Sequence, residues 1–161
     1  MAGIFRMGHF VLPIVFNGVF LPKQILMAIF SRLRKFENTA LLIMRAGLGA
    51  MMIVHGFDKL KGGPAVWAEL GHAMNALHIP YAYVFWGFMC AITETIGGLF
   101  CILGLWFRPV CLFMVFNFFV AAMFHYAKGD GPQESAHAIE LIFVFFGLLF
   151  IGPGAFSVDR G

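Results

Sequence analysis

Glu94 is the residue of this chain whose type and position point most clearly to chemistry. It lies in the middle of the apolar run 79–106, which is long enough to cross a bilayer because a spanning helix needs about 20 residues. A carboxylate at that depth costs roughly 2.5–3.5 kcal/mol on insertion scales. It therefore needs a partner or a function. As a protonated carboxyl group it could donate a proton or bind a ligand.

Arg45 is the intramembrane cation that is predicted to pair with Glu94. Counted at about 1.5 Å per residue, Arg45 lies about 10 Å and Glu94 about 16 Å from the same side of the membrane. Two long side chains can close that difference, and intramembrane charges usually pair. The sequence therefore leaves two interpretations of Glu94 open, an ion pair with Arg45 and a protonated functional group.

A second polar group is predicted near the opposite side, where His55 and His125 end two spans and His137 and Glu140 begin another. Histidines and a carboxylate at one depth could bind a transition metal, hydrogen-bond the carbonyl oxygens of a quinone or relay protons. The ordinary alternative is interfacial histidines that bond to backbone or water. No His-Glu-x-x-His motif occurs, so no metal site is predicted. The candidate buried polar site comprises Arg45, His55, Glu94, His125 and Glu140, with His137, Asn117 and Arg108 as second-tier members.

The composition is that of a membrane protein. Of the 161 residues, 61% are hydrophobic and only 12% are charged, whereas soluble domains average about a quarter charged. The formal charge of +3 gives no indication of a nucleic-acid partner. The three cysteines form no CxxC pair and fall in apolar segments, which favours buried structural thiols over metal or redox sites.

Hydropathy predicts an all-α integral membrane protein built as a four-helix bundle. The predicted domains are an N-terminal segment, 1–36, and the helical domain, 37–161. The spans are expected at about 38–57, 80–105, 109–127 and 136–152. Apolar residues three or four apart predict an amphipathic helix at 62–77 on the outer membrane surface.

The segment 1–36 is predicted to be interfacial or re-entrant. Pro13, Pro22 and Lys23 interrupt it, so its apolar pieces are too short to cross. A fifth span and a biological start at Met27 remain open alternatives. Basic residues at 32–35, 108 and 160 place both ends of the helical domain on the cytoplasmic side.

Small residues accompany Glu94 at three, four and seven residues' separation, namely Gly87, Cys90, Ala91, Gly97, Gly98 and Cys101. Small side chains let neighbouring helices approach closely. The stripe is therefore predicted to face the bundle interior, with Glu94 buried in protein and not in lipid.

A series of motifs in this chain resembles the DoxX family of small bacterial membrane proteins, from about residue 40 to 159. The motifs are Arg45-Ala-Gly-Leu-Gly, Val54-His-Gly-Phe-Asp-Lys-Leu60, Glu94-Thr-Ile-Gly-Gly98, Gly104-Leu-Trp-Phe-Arg108, Glu140 and Gly152-Pro-Gly-Ala-Phe-Ser-Val-Asp159. The resemblance implies a four-helix protein of the bacterial inner membrane. It also implies a link to redox chemistry, because some DoxX-like and DoxD-like proteins accompany thiosulfate:quinone oxidoreductase and others accompany redox-stress complexes.

Three functions follow as hypotheses. The first is a membrane subunit of a quinone-linked redox complex, with a soluble redox partner because the sequence carries no clear haem, flavin or iron–sulfur motif. The second is a non-enzymatic scaffold or assembly factor, and the third is a small-molecule transporter. Quinone is the one candidate ligand. The sequence does not identify a reaction, and a homo-oligomer remains an open alternative.

Overall fold

The structure, a computed structural model, describes residues 33–159 and the backbone of two short strands before them. The strands are β1 (Val15–Phe16) and β2 (Val19–Phe20), which pair antiparallel. The predicted interfacial segment at 1–36 and the alternative start at Met27 therefore lie mostly outside the described residues. The chain divides into two units, Met1–Glu37 and Asn38–Gly161.

Four long helices form the second unit and confirm the predicted all-α membrane bundle. Each has 20 residues or more and is apolar enough to cross a membrane. The four long helices are α1 (Glu37–Lys61), α3 (Tyr83–Leu103), α4 (Phe107–Lys128) and α5 (Pro132–Ile151). A shorter helix, α2 (Gly63–Gly71), comes between α1 and α3 in the sequence, and 3-10 helices lie at Arg34–Phe36 and His72–Leu77. We call the end of the bundle that carries α2 the α2 end, and the opposite end the C-terminal end.

The predicted amphipathic helix at 62–77 is α-helical only in its first half and continues as the 3-10 helix. Glycines hold it against α3. A methyl group on Gly87 would overlap the backbone carbonyl of Trp67, and one on Gly71 would overlap that of Tyr83. The indole of Trp67 also donates a hydrogen bond of 2.9 Å to the Lys59 carbonyl oxygen. Direct backbone packing therefore fixes α2 in place.

Helix α1 crosses α3 at a second glycine contact. A Cβ atom on Gly49 would lie 2.5 Å from the Gly98 oxygen, and one on Gly98 would lie 2.7 Å from the Gly49 oxygen. The small-residue stripe of α3 is buried, as predicted, and so is Glu94. Cys90 is the exception, because it is only half-buried.

Residues 152–159 fold back over the C-terminal end of the bundle. The amides of Val158 and Asp159 donate to the carbonyl oxygens of Leu103 and Gly104, at 3.1 and 2.9 Å. The Asp159 carboxylate accepts a 2.8 Å hydrogen bond from the Phe107 amide. Because helix N-termini carry unpaired N–H groups and partial positive charge, Asp159 caps α4 from a distant part of the sequence.

We expect Asp159→Ala to lower the free energy of unfolding by about 1–2 kcal/mol, the usual cost of a lost helix cap. Asp159→Asn keeps an acceptor oxygen and should lose less. Unfolding of the detergent-solubilised protein measures both, with the exposed Asp58→Ala as the control. An unchanged unfolding midpoint for Asp159→Ala would show that the carboxylate does not cap α4.

Candidate functional site

A cavity of about 720 Å³ lies at the α2 end, between α2 with its 3-10 extension, α3 and α4. Small-molecule sites typically measure about 300–1,000 Å³. The wall is mostly apolar, and its larger apolar members are Leu70, Met74, Phe85, Met89, Phe113, Phe116 and Phe124. Its polar members are Lys59, Glu69, Cys90, Thr93, Glu94, Asn117, His125 and Lys128.

Glu94 is the centre of the polar part of this wall, and only 3% of its side chain is exposed. Its Oε1 atom accepts from the Lys59 ammonium at 2.6 Å and from the Asn117 amide at 2.9 Å. The Cys90 sulfur lies 3.8 Å from the same oxygen and 3.7 Å from Lys59 Nζ. Three helices therefore supply one polar cluster around a single carboxylate.

The counter-ion of Glu94 is Lys59, so the predicted ion pair of Arg45 with Glu94 is wrong. Lys59 turns inward from the end of α1 to reach Glu94, whereas Asp58 beside it is exposed. Lys59 can reach Glu94 because α1 and α3 pack closely at this point. Gly56, one turn before Lys59, lies against Glu94 and Thr95, which brings the end of α1 near α3.

Two buried polar atoms of the cavity wall have no hydrogen-bond partner among the described residues. They are the second carboxylate oxygen of Glu94, Oε2, and the indole nitrogen of Trp86. An unsatisfied buried group costs about 1–3 kcal/mol, so such pairs call for an explanation. One atom accepts and the other donates, which suits an occupant that carries both functions.

Trp86, Cys90 and Glu94 follow one another at intervals of four residues on α3. Residues four apart share a helix face and lie about 6 Å apart along its axis. The cavity wall therefore presents a donor, a thiol and an acceptor in a row.

Arg45 lies away from the cavity, at the C-terminal end of the bundle. It is fully buried, and its guanidinium donates a hydrogen bond to the Phe156 carbonyl oxygen and lies 5.9 Å from the Phe107 ring centroid. Its Nε and Nη1 atoms have no partner among the described residues. Arg108 is at the same end and is exposed, with its Nη2 atom near Gly152.

The predicted cluster of His55, His125, His137 and Glu140 does not form. His125 lines the cavity, whereas the other three are exposed on α1 and α5. Within residues 33–159, no three His, Cys, Asp or Glu side chains are close enough to hold a metal ion. The depth prediction placed these residues near one end of the bundle, but their rotation about the helix axes separates them.

His125 is held by the loop between α4 and α5. Its Nδ1 atom lies 2.9 Å from Asp130 Oδ2, and Lys128 Nζ lies 3.4 Å from the same oxygen. The hydrogen bond with His125, helped by Lys128, lowers the pKa of Asp130 below its usual value. This loop carboxylate orients His125 at the cavity wall.

Lys59, Trp86 and Cys90 were missed as site residues by sequence reasoning, although Asn117 was included. Two signals could have found them: the four-residue spacing of Trp86 and Cys90 before Glu94, and the position of Lys59 three residues after Gly56, which packs on α3. Asn117 contributes from α4, where its side-chain amide donates a hydrogen bond to Glu94.

Comparison with known proteins agrees with the motif series. No solved structure matches the chain. "Inner membrane protein YqjF" of Escherichia coli (strain K12) is 28% identical over 134 residues, which cover 80% of this chain and 95% of that protein. The family model described as DoxX matches residues 40–127, more than half of the chain. The match takes in Arg45, the Gly56–Lys59 turn of α1, and the Glu94 stripe with its glycines, and the chain therefore belongs to the DoxX family.

Proposed function

We propose that this protein binds a quinone or quinol in the cavity at the α2 end and acts as the membrane subunit or partner of a quinone-linked redox complex. The bacterial inner membrane is the proposed location, with both ends of the helical domain cytoplasmic; the name of the E. coli relative supports the membrane assignment. The observation that carries the ligand proposal is the pair of unpartnered atoms, Glu94 Oε2 and Trp86 Nε1, in one mostly apolar wall.

A quinol satisfies that pair of atoms chemically. Its phenolic hydroxyl can donate to Glu94 Oε2, and a ring oxygen can accept from the Trp86 indole. The ring and an isoprenoid tail suit the apolar wall. A saturated lipid chain would leave both atoms unpaired, at about 1–3 kcal/mol each. Lys59 balances the charge of Glu94 within the cluster, so the carboxylate can stay in an apolar setting.

In this proposal, the chain positions the ring and a partner enzyme moves the electrons. Glu94 is the group placed to take the hydroxyl proton when a quinol is oxidised, or to return it when a quinone is reduced. His125 and Lys128, also in the wall, lie toward the end of the bundle from which such a proton could leave to water.

Trp86→Phe is expected to weaken binding of ubiquinone-1 about 3- to 10-fold, because it removes one hydrogen bond and keeps most of the ring's volume. Equilibrium dialysis of the purified protein in mild detergent measures the affinity. His55→Ala and Glu140→Gln are the matched controls, since both residues are exposed and neither lines the cavity.

The alternative outcome is a loss of ubiquinone-1 binding in His55→Ala with no effect of Trp86→Phe, which would place the ligand elsewhere.

Purification of the protein from native membranes tests whether it has a redox partner. A redox enzyme retained in fixed ratio supports the complex, and recovery of the chain alone at every detergent tested contradicts it.

A further inference from the structure

We propose that Cys90 is a covalent attachment site for electrophilic quinones. Its thiol adds to an unsubstituted ring carbon of a benzoquinone that occupies the cavity. The inference rests on the proposed function for the class of occupant, and extends it from reversible binding to bond formation at a named atom.

Cys90 stands apart from the other two cysteines. It is half-buried and lines the cavity, whereas Cys101 and Cys111 are fully buried and lie outside the cavity wall. Lys59 Nζ and Glu94 Oε1 lie 3.7 and 3.8 Å from its sulfur. A thiol beside a carboxylate and an ammonium has both a proton acceptor and a cation within reach.

The neighbouring groups indicate that an occupant passes over this sulfur. Glu94 is 3% exposed, and its Oε2 atom has no partner among the described residues. Trp86 Nε1 is likewise unpartnered, one helical turn on the other side of Cys90. A ring that approaches both groups lies against the thiol between them.

The step balances without another reactant. The thiol proton passes to the Glu94 carboxylate, and the sulfur forms a bond to a ring carbon that is conjugated with a carbonyl. The displaced π electrons move to the carbonyl oxygen, where the Lys59 ammonium is placed to stabilise the negative charge. That oxygen then takes the proton from Glu94. The proton on the substituted carbon then moves to the second ring oxygen, which makes the ring aromatic. The product is a hydroquinone thioether. The sulfur supplies the electron pair of the new C–S bond, so the ring is reduced to the hydroquinone level without another reductant.

The test is site-resolved mass spectrometry of the full chain in mild detergent after treatment with 1,4-benzoquinone. We expect one adduct per chain, on Cys90, with Cys101 and Cys111 as unmodified internal controls. Cys90→Ser should abolish the adduct. Glu94→Gln should slow its formation by about 10²-fold, the lower range for loss of a general base.

A second measurement needs no variant. Saturating ubiquinone-1, whose ring is fully substituted, should protect Cys90 from N-ethylmaleimide and leave the unreactive pair unchanged. Equal labelling of all three cysteines, or labelling of Cys90 only after denaturation, would overturn the inference.

The two proposals fail separately. If ubiquinone-1 binds to both wild type and Cys90→Ser but benzoquinone leaves no adduct, reversible binding stands and the covalent step is wrong. If Cys90 alone is modified while ubiquinone-1 neither binds nor protects it, the reactive thiol stands and the quinone-binding function is wrong.

Discussion

Glu94→Leu is expected to lower the free energy of unfolding by about 3 kcal/mol, and a second change, Lys59→Met, is expected to recover much of that loss. Removing one member of a buried ion pair strands the other charge, at about 3–5 kcal/mol. The lower end applies here because the Lys59 side chain keeps 28% of its surface exposed. Replacing both members by apolar residues removes the stranded charge. The expected signature is therefore strong coupling between the two sites.

Reversible unfolding in mixed detergent measures this cycle, with all four proteins under one set of conditions. Glu140→Leu is the matched control, since Glu140 is a carboxylate within the apolar part of α5 and is exposed on its surface. Its replacement should be neutral or stabilising in a membrane environment. Additive losses for Glu94→Leu and Lys59→Met would mean that the two charges do not depend on one another.

Gly87→Ala is expected to cost about 3 kcal/mol or more and to abolish ubiquinone-1 binding. The added methyl group would overlap the Trp67 carbonyl, and backbone cannot move aside as a flexible side chain can. Overpacking typically costs about 1–3 kcal/mol, and a clash with main chain belongs at the upper limit. Because α2 forms one side of the cavity, displacing it from α3 also destroys the site.

Gly147→Ala provides the comparison for that variant. Gly147 lies within α5, where an added Cβ would meet nothing within 4 Å. Alanine is favoured over glycine in helices by about 1 kcal/mol, so this change should be neutral or mildly stabilising. If both variants unfold alike, α2 does not rest on α3 through its backbone.

The bundle and the burial of Glu94 could be predicted because each depends on local spacing. Four apolar runs of sufficient length specify four spans. The stripe of small residues around Glu94 indicates which face of α3 meets its neighbours. Both inferences need only the rise and the repeat of a helix.

The partner of Glu94 could not be found from depth alone. Counting along each span locates Cα atoms, but a lysine near the end of a helix can carry its ammonium deep into the bundle along its flexible stem. Arg45 shows the same limit. The acceptor of its hydrogen bond is a backbone carbonyl 111 residues away. A pattern of side chains in the sequence cannot predict a bond to a backbone group.

The histidine cluster failed for a rotational reason. Successive helical residues turn by about 100°, so the burial of Gly56 against α3 turns His55 away from that contact. On α5, Ala138 and Leu141 are buried, while His137 and Glu140 are exposed. The depth of a residue in the membrane does not determine the direction in which its side chain leaves the helix. A neighbouring small residue such as Gly56, which packs on another helix, indicates that direction.

The contact between Arg45 and the Phe156 carbonyl has a consequence for biosynthesis. A ribosome delivers Arg45 to the membrane 111 residues before the group that will accept its hydrogen bond has been made. Throughout that interval the guanidinium must be solvated by water, lipid phosphates or the insertion machinery. The same late segment brings the Asp159 cap of α4. A nascent chain that stops short of Phe156 would carry four spans and an unsatisfied cation, which is a feature that membrane quality control could recognise.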